Sequence, residues 1–575
     1  MKQTVYVLGW CCLAFFGACT PNNSLKNDAT TAVVTYCNPI DLDYVISIDG
    51  EQRREAADPT MLVVGDTYYM FVSKSGGYWQ STNLKDWTHV ATTDLPTEDY
   101  APCAVLIDEE IYYMGSSHGL NKVYRAIDIN VGKWEEVATI EQPAWDPAFL
   151  LDDDHRLYLY WGCSDTSPLY GVEIDYKNGF KNIGNPVELN YPNPTDLGWE
   201  VPGDYNTRKE QAPWIEGPWV DKRNGVYYLQ YAGPGTEYKS YGDAVYTSNS
   251  PLGEFKLQAS NPMVYKPGGF ANGAGHGSTF KDKVGNYWHI CTISISVRHM
   301  FERRLALYPV FFDEDGEIYA DTRFGDFPRI IPQMRSNDPA DYRTNWNLLS
   351  HDVAVEVSSA MENHEAENLV NEDIRTYWAP AEADEQAYVK LDLGDSAVVK
   401  AVQLNFAEHD MSGMKRFQST SAAFELMGTD DAGKEVFSHR WTAERTDNTH
   451  IYYELPEAVQ ARHLMLKNFN LPKGQLALSG VRVFGCANGE KPQAPTDFKV
   501  ERQEDRREVK LSWNAVKNAT GYNIRYGVSA EKLYQTYSVF DADTLTIRSL
   551  NSHQNYVFCI EAFNASGCSV LSPEF

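Results

Sequence analysis

The stretch ADPTMLVVGDTYYMFVS, residues 57–73, has a form that recurs four more times before residue 295. It combines a small or polar opening, an apolar strand, a turn rich in Asp, Gly or Asn, and a second strand with aromatic residues. Further strand-like segments follow at 78–90 and 244–255, so each unit holds about four short strands. Five units over residues 33–335 predict an all-β fold, a five-bladed β-propeller. The other four copies are APCAVLIDEEIYYMGSS (101–117), DPAFLLDDDHRLYLYWG (146–162), EGPWVDKRNGVYYLQYAG (216–233) and HGSTFKDKVGNYWHICTIS (276–294).

Composition excludes several classes of protein. A chain of 575 residues is too long for one compact domain. Its content of 43% hydrophobic and 22% charged residues excludes a chain that is disordered throughout. The net charge of −29 disfavours nucleic acid, anionic lipid and polyanionic polysaccharide as partners, and favours a neutral ligand. The scattered cysteines include no CxxC pair, so a zinc site is disfavoured. Cys559 and Cys568 are placed to pair across a hairpin, or to remain two free thiols.

The first 19 residues have the features of an export signal. Lys2 precedes an apolar run that is too short to span a membrane, and the string FGAC ends at Cys19. This string is similar to a bacterial lipobox. We therefore expect a lipoprotein signal peptide at 1–19, lipidation of Cys19, and a polar tether at 20–32. The mature chain would be anchored by lipid in the outer membrane of a bacterial cell envelope, facing either side; the alternative is an ordinary cleaved signal.

Three carboxylates stand at the openings of repeat copies. Asp58, Asp146 and Glu216 lie where the innermost strands of three blades begin, close to the propeller axis. A general acid and a general base must face each other across a sugar, and the axis provides that convergence. A cap of the turn before proline would explain Asp58 and Asp146. It would not explain Glu216, which stands in WIEGPW.

The motifs ADPTM, WDPAFL and IEGPW, which carry these carboxylates, make residues 33–335 resemble glycoside hydrolase family 43. Further matches are STNLKDW (81–87), GHGS (275–278) and RRLALYPV (303–310). The resemblance implies an inverting exo- or endo-glycosidase acting on plant polysaccharides. It also implies that Asp58 is the general base and Glu216 the general acid. Asp146 would orient Glu216 and raise its pKa.

The resemblance extends to His276 and Arg303. His276 matches a histidine near the axis that often borders a bound cation or water cluster, and it is also a candidate substrate-binding residue. It would then lie near a structural Ca²⁺, although a buried histidine bonded to the backbone is the alternative; the chemistry itself needs no cofactor. Arg303 matches an arginine that reaches the substrate, with Arg304 as the alternative, because neighbours in a strand point to opposite faces. The predicted substrate-stacking aromatic residues are Trp79, Tyr100, Trp145 and Trp214.

Two departures from the family leave the sugar open. The second repeat has YAPCAV (100–105), which changes one wall of the pocket, and a long insert (189–214) precedes the fourth. We expect the insert to shape the substrate pocket.

Two further modules follow a predicted linker at 336–344. Residues 345–488 resemble a discoidin-like, coagulation factor 5/8 C-type β-sandwich, with 371–373 replacing the usual Asp-Gly of its motif; such modules often bind sugars. Residues 491–575 resemble a fibronectin type III domain, in which Trp513 and Tyr556 mark the core. We expect this last domain to act as a spacer or a partner surface.

The sequence therefore predicts an inverting glycoside hydrolase that releases neutral sugars from side chains of plant polysaccharides. α-L-Arabinofuranosidase is the first candidate activity, with β-xylosidase and β-galactosidase or galactofuranosidase as alternatives. The expected partner is an oligo- or polysaccharide containing arabinose, xylose or galactose. Two alternative hypotheses assign the chain to other functional classes. It would be either a non-catalytic surface lipoprotein that binds glycans or an adhesion protein that works through its accessory modules.

Overall fold

The computed structural model describes residues 33–44, 46–48, 51–96, 100–117, 119–295, 300–382, 384–407, 409, 423–442, 449–470 and 476–575. The predicted signal peptide, tether and lipidation site Cys19 lie outside these residues and stay predictions. Within the described ranges the regular structure consists of strands and five single 3₁₀ turns. None of these residues forms a helix of the length and apolarity that a membrane crossing needs. The 3₁₀ turns are Ile129–Val131, Tyr176–Asn178, Gly198–Glu200, Pro339–Tyr342 and Ala366–Leu369.

The five repeats form five antiparallel units, named blades 1 to 5 in chain order, and a parallel pairing of Gly242 with Ala274 joins blades 4 and 5 in one sheet. Blade 1 consists of Thr60–Val64, Thr67–Phe71, Gly77–Ser81 and Thr88–Ala91; blade 2 of Cys103–Ile107, Glu110–Met114, Lys122–Asp128 and Lys133–Thr139; blade 3 of Ala148–Leu151, Leu157–Trp161, Tyr170–Asp175 and Lys181–Glu188; blade 4 of Ile215–Arg223, Val226–Gly233, Gly242–Ser248, Lys256–Leu257 and Val264–Tyr265; blade 5 of Asn272–Lys281, Tyr287–Ser294, Arg303–Phe312 and Ile318–Ala320. Short pairs are Val34–Tyr36 with Arg329–Ile331, Ile46–Ile48 with Glu51–Arg53, and Cys163–Ser164 with the start of blade 4.

The first strand of each blade is its inner strand, and the inner strands form a closed ring. Each inner strand packs against that of the next blade, and that of blade 5 packs against that of blade 1. Because this ring is closed, the inner edge of every blade is covered by the neighbouring blades. The predicted five-bladed propeller is confirmed.

Every blade has one residue with left-handed backbone at its inner start. This backbone turns the chain sharply toward the axis and is unfavourable for a residue other than glycine, a type of strain that often accompanies functional sites. These residues are Asp58 (φ 52°), Ala101 (φ 46°), Asp146 (φ 51°), Gly217 (φ 60°) and His276 (φ 47°).

This register corrects one detail of the sequence analysis. Asp58 and Asp146 are structurally equivalent, but Glu216 lies one residue before the equivalent position, which Gly217 occupies. Glu216 therefore reaches the axis from the edge of blade 4 and not from the turn that presents the two aspartates.

Hydroxyl groups connect one blade to the start of the next. In three cases a Ser or Thr lies at the end of the second strand of one blade. Its side-chain oxygen accepts a hydrogen bond from the backbone N–H of the left-handed residue in the following blade. Ring closure thus fixes the backbone that presents the catalytic candidates. The bonds are Asp58 to Thr292 Oγ1 (2.8 Å), Ala101 to Ser73 Oγ (2.8 Å) and Asp146 to Ser116 Oγ (2.7 Å).

The chain beyond the propeller forms two further β-structures. The first contains Asn347–Leu348, Ala354–Val357, Val389–Phe406, Ala423–Thr429, Glu435–Trp441, His450–Asn470 and Leu478–Cys486. The second pairs a three-stranded sheet (Lys499–Arg502, Val509–Ser512, Thr544–Ile547) with a four-stranded one (Gly521–Gly527, Gln535–Phe540, Val557–Asn564, Gly567–Cys568). Trp513 lies in its core, and the hydroxyl of Tyr556 accepts the N–H of Asn551 at 3.1 Å. The predicted core markers are thus confirmed, and Cys559 and Cys568 are free thiols.

The predicted linker, 336–344, is packed against the propeller. Tyr342 is buried, with its ring centroid 5.3 Å from that of Trp288 and 5.4 Å from that of Phe311. The connection is therefore fixed at this point, which determines where the following module starts.

Candidate active site

Asp58 is buried (4% exposed) at the start of blade 1 and accepts hydrogen bonds on both carboxylate oxygens. Its Oδ2 accepts the hydroxyl of Ser73 at 2.5 Å, and its Oδ1 lies 3.2 Å from Arg303 Nη1 and 3.3 Å from His276 Nδ1. Burial would raise the pKa of Asp58, but Arg303, His276 and the hydroxyl donors outweigh it and lower that pKa below its ordinary value. Asp58 is therefore ionised at neutral pH, as a general base must be.

Glu216 is also buried (9% exposed), with one donor on each oxygen. The hydroxyl of Tyr241 donates to Oε1, and the thiol of Cys163 donates to Oε2 at 3.3 Å. Because Tyr241 is a phenol with a pKa well above its ordinary value, Oε1 stays an acceptor.

The surroundings of Glu216 favour its protonated form. Burial and the charge of Asp146 raise the pKa of Glu216 to about 7, against the opposing effects of His276 and Tyr241. Ligand atoms of Asp146, Cys163 and Glu216 lie within 4.8 Å of one another. Burial likewise raises the pKa of Asp146. The geometry is that expected of an acid and its neighbouring modulator.

His276 lies between the two aspartates. Its Nδ1 is 3.3 Å from Asp58 Oδ1 and 3.7 Å from Asp146 Oδ2. Burial lowers the pKa of His276, but the surrounding carboxylates outweigh burial and raise it. The ring packs so closely on blade 4 that a Cβ at Gly217 would lie 2.4 Å from it, so glycine is required there for space as well as for its positive φ.

Arg303 and Arg304 point to opposite faces of their strand, as predicted. Arg303 contacts Asp58 and, at 3.3 Å, Thr236 Oγ1, and its Nε and Nη2 are buried with no hydrogen-bond partner among the residues that the structure describes. Arg304 points away, with its Nε 3.2 Å from Nε2 of His450 in the next module. Of the two, Arg303 is the one beside Asp58, and its contact with a bound sugar stays a prediction.

Three of the four predicted stacking residues lie at this end of the propeller. Trp145 (37% exposed) precedes Asp146, and Trp214 (41% exposed) lies two residues before Glu216 and donates its Nε1–H to Cys163 Sγ at 2.9 Å. Tyr100 is half-buried, with its ring centroid 5.5 Å from that of Phe301. These side chains form an aromatic rim around the carboxylates.

The prediction for Trp79 is wrong. Its side chain is 1% exposed in the core of blade 1, and its ring packs edge-on against His89 at 4.8 Å. A fully buried ring offers no face to a sugar. Trp79 lies on the third strand of its blade, away from the inner strand that carries Asp58.

One group in the described part of the chain could bring three metal-ligand atoms together: Asp146, Cys163 and Glu216. A thiol and a carboxyl that favours its proton are poor ligands for calcium, which takes six to eight oxygens. His276 is not in this group, and its Nδ1 faces two carboxylates. These donors do not fit calcium. A Ca²⁺ site beside His276 stays a prediction, which chelation followed by a thermal melt would test.

Sequence reasoning missed several polar side chains that hold the carboxylates. Ser73, Ser116 and Cys163 lie at the end of the second strand in the first three repeats, so comparison of the repeats at that point could have found them. Tyr241 lies in a loop that no repeat marks, and only the fold brings it to Glu216.

The assembled residues can supply the general base and the general acid that a single-displacement reaction needs. One buried carboxylate is held ionised and another is held near its protonation midpoint at neutral pH, with an arginine beside the first and exposed tryptophans beside the second. Such a pair suits general acid–base catalysis on a substrate that the rings can stack against.

Comparison with known families agrees with this geometry. Residues 52–318 match the model of glycosyl hydrolases family 43, residues 354–475 that of the F5/8 type C domain, and residues 493–575 that of the fibronectin type III domain.

Individual relatives are more distant. The chain is 34% identical over 121 residues to a protein named β-D-galactofuranosidase xynD from Aspergillus niger, a match that spans 20% of this chain and about a third (34%) of that relative. A solved glycoside hydrolase is 17% identical, covering 75% of this chain and 97% of its own, with a TM-score of 0.45. The GH43 BlXynB protein from Bacillus licheniformis is 15% identical, covering 92% of this chain and 87% of its own, with a TM-score of 0.42.

Because these TM-scores are low, the family assignment rests on the family models and the site residues. The matched ranges fall inside the three predicted regions and include Asp58, Asp146 and Glu216. Residues 52–318 of this chain therefore form a glycosyl hydrolase family 43 domain, followed by an F5/8 type C domain and a fibronectin type III domain.

Proposed function

We propose that this chain is an inverting glycoside hydrolase that releases a terminal neutral sugar from side chains of plant polysaccharides, with α-L-arabinofuranosidase as the first candidate activity. The observation that carries the proposal is the opposite pKa shift of two buried carboxylates, Asp58 lowered and Glu216 raised to about 7. They stand on blades 1 and 4, which are not neighbours in the ring.

The chemistry follows from these two states. Asp58 accepts a proton from a water molecule, and the water oxygen attacks the anomeric carbon. The bond from that carbon to the leaving oxygen breaks, and Glu216 gives its proton to the leaving oxygen. Before the next turnover Asp58 releases its proton to solvent, and Glu216 takes up a proton from solvent.

A neutral sugar suits the charge of the site. Three carboxylates surround the reacting position, and the chain carries a net charge of −29, so a uronate would be repelled. Arg303 holds its charge beside Asp58, and the rim of Trp145 and Trp214 offers faces on which sugar rings can stack.

A β-D-galactofuranosidase is the second candidate. The relative with that name is 34% identical to this chain over 121 residues. Arabinofuranose and galactofuranose share the five-membered ring, so the same acid and base would serve both. β-Xylosidase and β-galactosidase are the remaining alternatives within the family.

The experiment is a screen of aryl glycosides with the purified chain, followed by proton NMR of the product of the best substrate. We expect the first-formed sugar to have the inverted anomeric configuration, because carboxylates reaching across the axis favour the wider spacing of about 6.5–9.5 Å that admits a water. A first product with the substrate's configuration would contradict inversion. Absence of turnover on every arabinoside, xyloside and galactoside, with glycan binding retained, would instead support a non-catalytic binding protein.

We further propose that the chain is held at a bacterial membrane by lipid on Cys19. The string FGAC and the polar segment 20–32 support this. Mass spectrometry of the mature N-terminus, compared with a Cys19→Ala variant, tests it; an unmodified N-terminus in the wild type would contradict it.

A further inference from the structure

The insert between blades 3 and 4 contacts both accessory modules. This segment, residues 189–214, is called the active-site insert because it ends at Trp214, on the rim beside Glu216. Within the propeller, its Leu197 and Trp199 share an apolar cluster with Ile215, the residue before Glu216. A displacement of the insert would therefore be transmitted to the strand that carries Glu216.

The fibronectin type III domain contacts the first half of the insert through backbone. Leu197 and Asn551 form an antiparallel bridge, and the N–H of Gly198 donates to the carbonyl of Leu550 at 2.9 Å. A Cβ at Gly198 would lie 2.2 Å from the carbonyl oxygen of Arg548, so only glycine allows this approach. The two surfaces are fitted to each other at the level of the main chain.

Side chains of the same domain add further contacts to the insert. The Arg507 guanidinium donates to the carbonyl of Pro194. Lys209 Nζ lies 2.7 Å from Asp505 and 2.6 Å from Glu508. The insert is thus held on both sides of its 3₁₀ turn, which corrects the expectation that this domain is only a spacer or a surface for partners.

The F5/8 type C domain holds the second half of the insert through Arg375. Its Nη1 lies 2.9 Å from Asp204 Oδ2, and its Nη2 donates to the carbonyl of Glu237 at 3.0 Å. Asp204 belongs to the insert, whereas Glu237 belongs to the loop after the second strand of blade 4. One largely buried guanidinium therefore connects two separate segments of the propeller.

The second of these segments leads directly to the base. Thr236, next to Glu237, accepts a hydrogen bond from Arg303 Nη1 at 3.3 Å, and the same nitrogen lies 3.2 Å from Asp58 Oδ1. The path from Arg375 to Asp58 thus consists of Glu237, Thr236 and Arg303. Arg375 is thus connected to Glu216 through the insert and to Asp58 through this loop.

We propose that both accessory modules are structural parts of the active site. Arg375 is then a positioning residue that holds the active-site insert and the loop of Thr236 and Glu237 in place for substrate binding. The inference rests on the proposed glycosidase function. Since Arg375 contacts neither Asp58 nor Glu216 directly, its loss should affect binding of the oligosaccharide more than the chemical step.

The experiment compares full-length variants by KM and kcat on an oligosaccharide and by thermal unfolding. We expect Arg375→Ala to raise KM about tenfold or more, with a smaller fall in kcat, since small displacements at a site cost large factors. Arg375→Lys, which keeps one charged donor, should recover part of the loss. Arg507→Ala should raise KM by a smaller factor, because the bridge between Leu197 and Asn551 remains.

Matched controls separate positioning from general damage. Arg462→Ala removes an Arg–Asp pair with Asp392 inside the F5/8 type C domain, and Arg506→Ala removes a contact with Asn555 inside the fibronectin domain. Both controls should keep the wild-type KM. If Arg375→Ala unfolds the chain, Asp204→Asn weakens the same contact more gently and should raise KM.

The outcomes are distinct. Wild-type KM in both Arg375→Ala and Asp204→Asn, or equal changes in Arg375→Ala and Arg462→Ala, would overturn the inference. Absence of turnover by the wild-type chain would instead contradict the proposed function, before any variant is measured.

Discussion

Asp58 and Glu216 are carboxylates of similar burial whose pKa values shift in opposite directions. Asp58 on blade 1 faces a guanidinium, an imidazole and hydroxyl donors, and its pKa is lowered. Glu216 on blade 4 faces a second carboxylate, a thiol and one phenol, and its pKa is raised to about 7. Burial acts on both in the same direction, so the partners decide which group serves as base and which as acid.

The difference follows from the blades that flank each group. Blade 5 supplies Arg303 and Thr292 to Asp58, whereas blade 3 supplies Asp146 and Cys163 to Glu216. The propeller thus places positive charge on one side of the site and a like charge on the other. Changing Arg303 should therefore act mainly on Asp58, and changing Asp146 mainly on Glu216.

The largest effect is expected from removal of the base. Asp58→Asn should lower kcat by about 10²–10⁴-fold, because no group is left to deprotonate the attacking water. Steady-state kinetics with a thermal melt measure this. Asp66→Asn, an exposed aspartate in a turn of the same blade, serves as control and should behave as wild type. Near-wild-type turnover in Asp58→Asn would remove it from the mechanism.

The next effect concerns the cation beside Asp58. Arg303→Met should raise the pKa of Asp58, so that the base becomes protonated at higher pH and the acidic limb of the pH–rate profile moves upward. We also expect kcat/KM to fall at least about tenfold, as for loss of one charge-assisted hydrogen bond. The exposed Arg335→Met is the control. An acidic limb that stays in place would show that Arg303 does not set the state of Asp58.

On the acid side, Asp146→Asn removes the like charge. The pKa of Glu216 should fall, since only burial and the charge of Asp58 then raise it, and Glu216 should lose its proton at lower pH. The alkaline limb of the profile should move to lower pH while the acidic limb changes less. Full activity with an unchanged profile would refute the modulator role of Asp146.

The smallest effect is expected at Cys163. Cys163→Ala leaves Trp214 Nε1 and Glu216 Oε2 without this partner, and we expect kcat/KM to fall about threefold to tenfold, with Cys163→Ser closer to wild type. Cys568→Ala in the fibronectin domain controls for loss of a thiol. Equal activity of the alanine and serine variants would mean that the hydrogen bonds of Cys163 are not used.

Much of this arrangement was predictable from the sequence. The repeat gave the ring of blades, and the motifs around Asp58, Asp146 and Glu216 identified the carboxylates, because a periodic sequence places equivalent residues at equivalent points. Alternation along a strand also separated Arg303 from Arg304 correctly.

Other features depend on contacts that local sequence does not encode. Glu216 lies one residue out of register with the aspartates, since Gly217 takes the left-handed position and leaves space for the His276 ring. Trp79 is aromatic and near a motif, yet its strand lies away from the axis. Tyr241 and Arg375 reach the site across many residues of sequence, so only the folded chain brings them there.

The assignment of Asp58 as base and Glu216 as acid is tested most directly by measuring the activity of one variant of each on two substrates that differ in their leaving group. Glu216→Gln should keep much of its activity on a 2,4-dinitrophenyl glycoside, whose leaving group needs no proton, and lose it on the natural oligosaccharide. Asp58→Asn should lose activity on both substrates, because each needs an activated water. Equal losses on the two substrates in Glu216→Gln, or full activity of Asp58→Asn on the dinitrophenyl glycoside, would contradict the assignment of acid and base.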